Sequence, residues 1–170
     1  MEPCVINKNG VGEHDAALIE AEEFSALDGR GRKVDLGPTR SGSGGDAAGS
    51  RHGYAVSLSD GASIRFTLVH DIPTSPTAVF RVARGVVGAC TLTVIGKSAK
   101  AGRSGNAEVV NLGKCTVPST GDWSRFVDVK CVLNESRASS FSDGEIAIYA
   151  SASNDGGVQE LVRVDSFRFD

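Results

Sequence analysis

Val162-Arg163-Val164-Asp165-Ser166-Phe167-Arg168-Phe169 closes the chain, and its reading decides the fold. Val162 and Val164 share one parity, whereas Phe167 and Phe169 share the other. A bulge near Asp165-Ser166 turns both pairs to one side; the alternative is a strand buried on both faces. Near the other end stands Ile19-Glu20-Ala21-Glu22-Glu23-Phe24, where Glu20 and Glu22 share a side if the segment is extended. With first and last strands side by side, Glu20, Glu22 and Asp165 converge. Such a cluster of carboxylate oxygens suits a hard cation such as calcium.

Between these ends the chain reads as short strands bounded by turn residues. They are expected at about 54–58, 63–69, 78–83, 90–95, 108–112, 126–133, 145–150 and 161–169. Ile64, Phe66 and Leu68 share a face, as do Val127, Val129, Cys131 and Leu133, and as do Ile146, Ile148 and Ala150. No segment sustains apolar residues at helical spacing. The expected fold is all-β, a jelly-roll β-sandwich of two antiparallel sheets. The 170 residues suit one domain, 19–170, behind an N-terminal extension, 1–18.

Composition excludes several function classes. A net charge of −3 gives no drive towards nucleic acid or an anionic membrane, and no apolar run approaches a membrane span. Residues 1–8 lack the apolar stretch of a secretory signal, so Met1 is read as following a removed signal or an upstream domain. The glycine-rich stretch 41–50 contains Gly42, Gly44 and Ala47 at dinucleotide-fingerprint spacing, but no strand leads in and no helix follows. Hydrolase, zinc-protease and phosphate-loop motifs are lacking, and His14, His52 and His70 have no suggestive neighbours. Glu20 and Glu22 match the spacing of a glycosidase pair, yet a metal site explains them better. The chain is therefore read as a non-enzyme.

Cys4, Cys90, Cys115 and Cys131 form no C-x-x-C pair, which argues against structural zinc and for two disulfides in an extracellular setting. Reduced, buried thiols are the alternative. Symmetry about Gly102-Arg103 would pair Cys90 with Cys115, and symmetry about Trp123 would pair Cys115 with Cys131. Asn134-Glu135-Ser136 is a glycosylation sequon of low information.

Four segments, in order, resemble a carbohydrate-binding module of family 6, or of the related families 35 and 36. They are Ile19-Glu20-Ala21-Glu22, Phe80-Arg81-Val82-Ala83-Arg84-Gly85, Pro118-Ser119-Thr120-Gly121-Asp122-Trp123 and Val164-Asp165-Ser166-Phe167. The resemblance implies a galactose-binding-like sandwich holding one calcium ion (Ca2+) on Glu20, Glu22 and Asp165. It also implies non-catalytic binding of a polysaccharide or oligosaccharide, and a place in a larger secreted enzyme or surface protein. Because the Trp turn of that fold crosses between sheets, the resemblance implies Cys90–Cys115 and Cys4–Cys131 as the disulfides.

Departures fall in the sugar site. Gly61-Ala62-Ser63 stands where the family has Gly-Asp-Trp, and the stacking aromatic falls near Ser57, with Tyr54 its nearest substitute. Arg163 occupies a position usually held by Asn, and 96–114 is longer than usual. A sugar ring packs its C–H face on an aromatic and needs hydrogen-bond partners around it. Trp123, alone of its type and set in a polar turn, is the expected platform, with Tyr54 the opposing wall. Tyr149 lies off the Ile146-Ile148 parity and is read as structural. Arg163 would add a planar fork suited to carboxylate or sulfate, with a surface ion pair as its alternative role. A glycan- or protein-binding adhesion domain is the second reading, and a glycan-cleaving enzyme the third.

Overall fold

The structure is a computed structural model, and it describes residues 19–20, 24, 26–28, 31–35, 54–68, 77–101, 107–139, 144–152 and 160–170. Eleven strands occur among them: β1 (Ile19–Glu20), β2 (Ala26–Asp28), β3 (Arg32–Asp35), β4 (Tyr54–Leu58), β5 (Ser63–Leu68), β6 (Thr77–Ala83), β7 (Cys90–Ala101), β8 (Ala107–Val117), β9 (Val127–Val132), β10 (Gly144–Ser151) and β11 (Val162–Phe169). A single turn of helix, α1 (Glu135–Ser139), follows β9. One sheet runs β3-β4-β11-β6-β9, with β1 also paired to β11; the other runs β2-β5-β10-β7-β8. Every pairing is antiparallel.

The closing strand behaves as its parity break requires. Its register with β6 shifts between Val164 and Ser166, leaving Asp165 as the extra residue of a bulge. Val162, Val164 and Phe167 therefore all enter the core, and Phe169 packs against it. β1 lies on the opposite edge of β11 from β6, with Ile19 facing Phe167 and Glu20 facing Ser166. The two ends of the domain are neighbours, as expected.

The core fills the space between the sheets. Phe66 comes from the β2-β5-β10-β7-β8 sheet, Phe80 and Phe167 from the other. Phe167 meets Phe66 edge-on at 5.0 Å between ring centroids and stacks on Phe80 at 5.6 Å. Ile64, Ile146, Ile148, Ala150, Cys131 and Leu133 join them on the faces that alternation assigned.

Five elements depart from expectation. β2 and β3 are too short to alternate visibly, and Gly31 lies between them. β7 and β8 extend well past Ile95 and Leu112, because glycines at 96 and 113 and polar residues conceal the pleat in the sequence. The helical turn α1 is set by its cap: the Asn134 side-chain oxygen accepts from the Arg137 amide at 3.0 Å. This occupies the side-chain carbonyl of the sequon asparagine.

The disulfide expectation is corrected. Cys90, Cys115 and Cys131 are free thiols, and Cys4 lies outside the described residues. Cys90 faces Val117 across the β7–β8 ladder, and Leu92 faces Cys115. Cys90 and Cys115 are thus diagonal neighbours, too far apart for the ~3.8 Å that bridged Cβ atoms need.

Candidate functional site: a tryptophan turn above one sheet end

Trp123 sits in a turn built largely from side-chain-to-backbone hydrogen bonds. Thr120 anchors the turn to the end of β6: its amide donates to the Arg84 carbonyl (2.9 Å), and its hydroxyl accepts from the Arg84 amide (3.0 Å). Asp122 accepts from both the amide and the hydroxyl of Ser124, each at 2.7 Å. Those two donors hold the Asp122 carboxyl below the usual carboxylate range. Gly121 has φ +80°, so the reversal before Asp122 suits glycine.

Two contacts orient the indole. Gly85, directly after Arg84, lies against its five-membered ring. A Cβ built there would stand 2.5 Å from Trp123 Cδ1 and 2.6 Å from Nε1. The Arg163 guanidinium carbon lies 5.2 Å from the ring centroid, within cation–π range. Trp123, expected as a platform, is consequently half-buried.

Arg163 is placed by register. It faces Ala83 on β6 and Ser57 on β4, and Ser57 in turn faces Arg32 on β3. Because Val162 and Val164 face the core, Arg163 projects from the opposite face of the sheet. Its Nε donates to Glu160 Oε1, and the second oxygen of Glu160 is 3.6 Å from Arg32 Nη2. The surface ion pair considered for Arg163 exists, and it stands beside the tryptophan. Arg32 and Glu160 were not singled out from the sequence, because pairing of β3, β4 and β11 was needed to bring them to Arg163.

Beneath this shelf lies Arg84, only 4% exposed. Its guanidinium donates to the carbonyls of Leu161, Gly88 (3.1 Å) and Val87 (3.4 Å). A buried charge needs such donors and acceptors around it. Arg84 thereby fixes the Gly85–Gly88 loop, the Trp turn and the entry to β11 relative to one another. The sequence marked Arg84 only as part of a resemblance, since nothing local reveals that its acceptors are carbonyls distant in the chain.

Tyr54 begins β4 opposite Asp35, three residues from Ser57; its side chain lies outside the described residues. Tyr149 faces away from the core and is 36% exposed, on the sheet opposite the one that carries Arg163.

Of the expected cation ligands, Asp165 alone has a described side chain. It is completely buried. Its Oδ2 accepts from the Ser166 hydroxyl at 3.3 Å and faces Arg81 Nε at 3.7 Å, while Oδ1 has no hydrogen-bond partner among the described residues. An unsatisfied buried carboxylate oxygen is costly, and a coordinated cation would remove that cost. Glu20 is brought opposite Ser166 by the β1–β11 pairing, though its side chain and all of Glu22 lie outside the described residues. Among the described residues no three metal-ligating side chains form a group, and no helix is long and apolar enough to cross a membrane.

Solved structures share this fold. A family 6 carbohydrate-binding module from Clostridium cellulolyticum, in complex with xylose, superposes with a TM-score of 0.63 at 18% identity, over 91% of this chain and 97% of that one. A β-1,3-glucan-binding module of the same family from Bacillus halodurans gives 0.60 at 20% identity, over 89% and 93%. A family 43 arabinoxylan arabinofuranohydrolase from Bacillus subtilis, in complex with cellotetraose, gives 0.63 at 17% identity. There 99% of this chain matches only 28% of the hydrolase. No family model matches the chain, and no curated protein matches it.

Proposed function

We propose that this domain binds a polysaccharide without cleaving it, through a surface centred on Trp123, as an extracellular module of a larger secreted enzyme or surface protein. The observation that carries the reading is the shelf itself. A half-exposed indole stands beside the Arg163–Glu160–Arg32 chain, at the end of a sandwich shared with family 6 carbohydrate-binding modules. A sugar needs an apolar face together with both donors and acceptors for its hydroxyls. The indole supplies the first. Guanidinium N–H groups and the Glu160 carboxylate supply the second.

Charge bears on the choice of sugar. A free guanidinium would favour carboxylate or sulfate, but Arg163 is already paired with Glu160, and Glu160 is shared with Arg32. Because the Glu160 carboxylate already offsets these charges, an added anion would gain less here than at an unpaired arginine. A neutral backbone, of the kind named for the neighbours that hold xylose and cellotetraose, is therefore the preferred ligand class. A glycan array of neutral and acidic polysaccharides, read with and without calcium, tests this. Binding to neutral chains alone is expected. Exclusive binding to uronates or sulfated chains would reverse the charge argument, and no binding at all would remove the function.

The reading includes one calcium ion held by Asp165 with Glu20 and Glu22. What supports it is the orphaned, fully buried Oδ1 of Asp165 beside the strand that carries Glu20. When bound, the ion would neutralise the carboxylates and tie the first strand to the last. A ligand at a hundred times its dissociation constant adds about 2.7 kcal/mol of stability. Chelation is thus expected to lower the melting temperature by roughly 5–10 °C for a domain of this size. Asp165→Asn should remove the dependence on chelator. A melting curve indifferent to chelator would leave Asp165 as the partner of Arg81 and nothing more.

A further inference from the structure

We propose that Cys115 and Cys131 form a disulfide that ties the edge strand of one sheet to the edge strand of the other. β9 ends the β3-β4-β11-β6-β9 sheet and β8 ends the other, and the two edges approach each other on one side of the sandwich. Their contact has a register. The Asn134 amide donates to the Leu112 carbonyl at 2.7 Å, so 112 stands opposite 134. A Cβ at Gly113 would lie 3.0 Å from both the Val132 carbonyl oxygen and Leu133 Cδ2, so the backbones nearly touch where 113 meets 133. Continuing that antiparallel register two residues along each chain brings 115 opposite 131.

The side chains agree with the backbone. Cys131 is fully buried in the core, and Cys115 packs half-buried against the same cluster. The two thiols hydrogen bond each other. Cys90 is separate: its sulfur points at the Leu161 carbonyl, 4.0 Å away, and burial pushes its thiol up, away from the reactive thiolate form. Within the pair the shared hydrogen bond lowers Cys131, while that bond and burial raise Cys115, so attack by the accessible Cys115 sulfur sets in only as pH rises and Cys131 is the readier thiolate for the closing step.

The oxidant is a small disulfide such as oxidised glutathione. Cys115, the half-exposed sulfur, loses its proton and attacks one sulfur of that disulfide, releasing one small thiolate. Cys131 then loses its proton and attacks the Cys115 sulfur of the mixed disulfide, releasing the second. Two electrons pass from the protein dithiol to the small disulfide, and the two protons end on the two released thiols. The new bond closes the segment containing Trp123 on itself.

Trypsin separates the relevant cysteines, because cleavage after Arg84, Lys97, Lys114, Arg125, Lys130 and Arg137 yields peptides 85–97, 115–125 and 131–137. The full chain, equilibrated in a glutathione buffer and alkylated, should give 115–125 joined to 131–137, with Cys90 alkylated. Relative to the reduced chain, the oxidised chain should melt about 10 °C higher, as closing a loop of this length implies. Cys115→Ser and Cys131→Ser should each abolish that rise, and Cys90→Ser should keep it. Cys115 found joined to Cys90 or Cys4, or Cys115 and Cys131 both alkylated after equilibration, overturns the proposal. The mapping decides it on the unaltered chain, whether or not the serine variants fold.

Discussion

Phe167→Ala is expected to lower stability by about 3–5 kcal/mol, the largest loss of any single substitution considered for this domain. Phe167 is 1% exposed, and its ring touches Phe66 of the facing sheet, Phe80 of its own and Phe169 at 5.8 Å. Removing it deletes the ring at which the two sheets meet and leaves a cavity lined by aromatics whose positions are fixed by strands on both sides. Small domains have only about 5–15 kcal/mol in total, so a third or more of the margin would go. The melting temperature should fall by roughly 10–15 °C. In urea the midpoint should drop at an unchanged slope, because the folded state keeps its architecture and loses contacts within it. A loss below about 1 kcal/mol would mean that these rings do not share one core.

That core was legible because alternation records a half-buried strand directly. Ile64 and Phe66, Ile146 and Ile148, and Cys131 and Leu133 occupy the faces their spacing assigned. Even the irregular closing strand announced its bulge, since two hydrophobic pairs of opposite parity can reach one core only through an extra residue. Less was legible where the chain leaves this pattern. β7 and β8 ran unnoticed through Gly96 and Gly113, and β2 and β3 were too short to show a period. The cysteine pairing misled for a different reason. Symmetry about Gly102-Arg103 set Cys90 opposite Cys115, yet the register of the β7–β8 ladder, shifted at two irregularities, sets Cys90 opposite Val117. The crossing of the Trp turn between sheets does not by itself part Cys115 from Cys131, because edge strands of opposite sheets can face one another. For the site, Trp123 and Arg163 were visible as residue types out of place. Arg32, Glu160 and Arg84 gain meaning only from register and from carbonyl acceptors far along the chain.

Trp123→Ala is expected to abolish detectable glycan binding while leaving most of the stability intact. An aromatic anchor commonly costs 2 kcal/mol or more of binding when truncated, about thirtyfold in affinity, and a weak sugar complex has little to lose. The stability cost should be smaller than for Phe167, because the indole belongs to no core cluster and rests on Gly85 and Arg163 at the surface. Gly85→Ala sharpens the test. Its new methyl would collide with the five-membered ring, so the indole must shift although no binding group is deleted. If the position of the ring matters, Gly85→Ala should weaken binding by an intermediate amount and move the tryptophan emission, which this chain reports from a single residue. Isothermal titration against the best ligand of the array, together with melting curves, separates the outcomes. Loss of binding with a near-native melting temperature places recognition on the ring. A destabilised Trp123→Ala chain that still binds would show the ring to be a structural prop, with the sugar held elsewhere on the sheet.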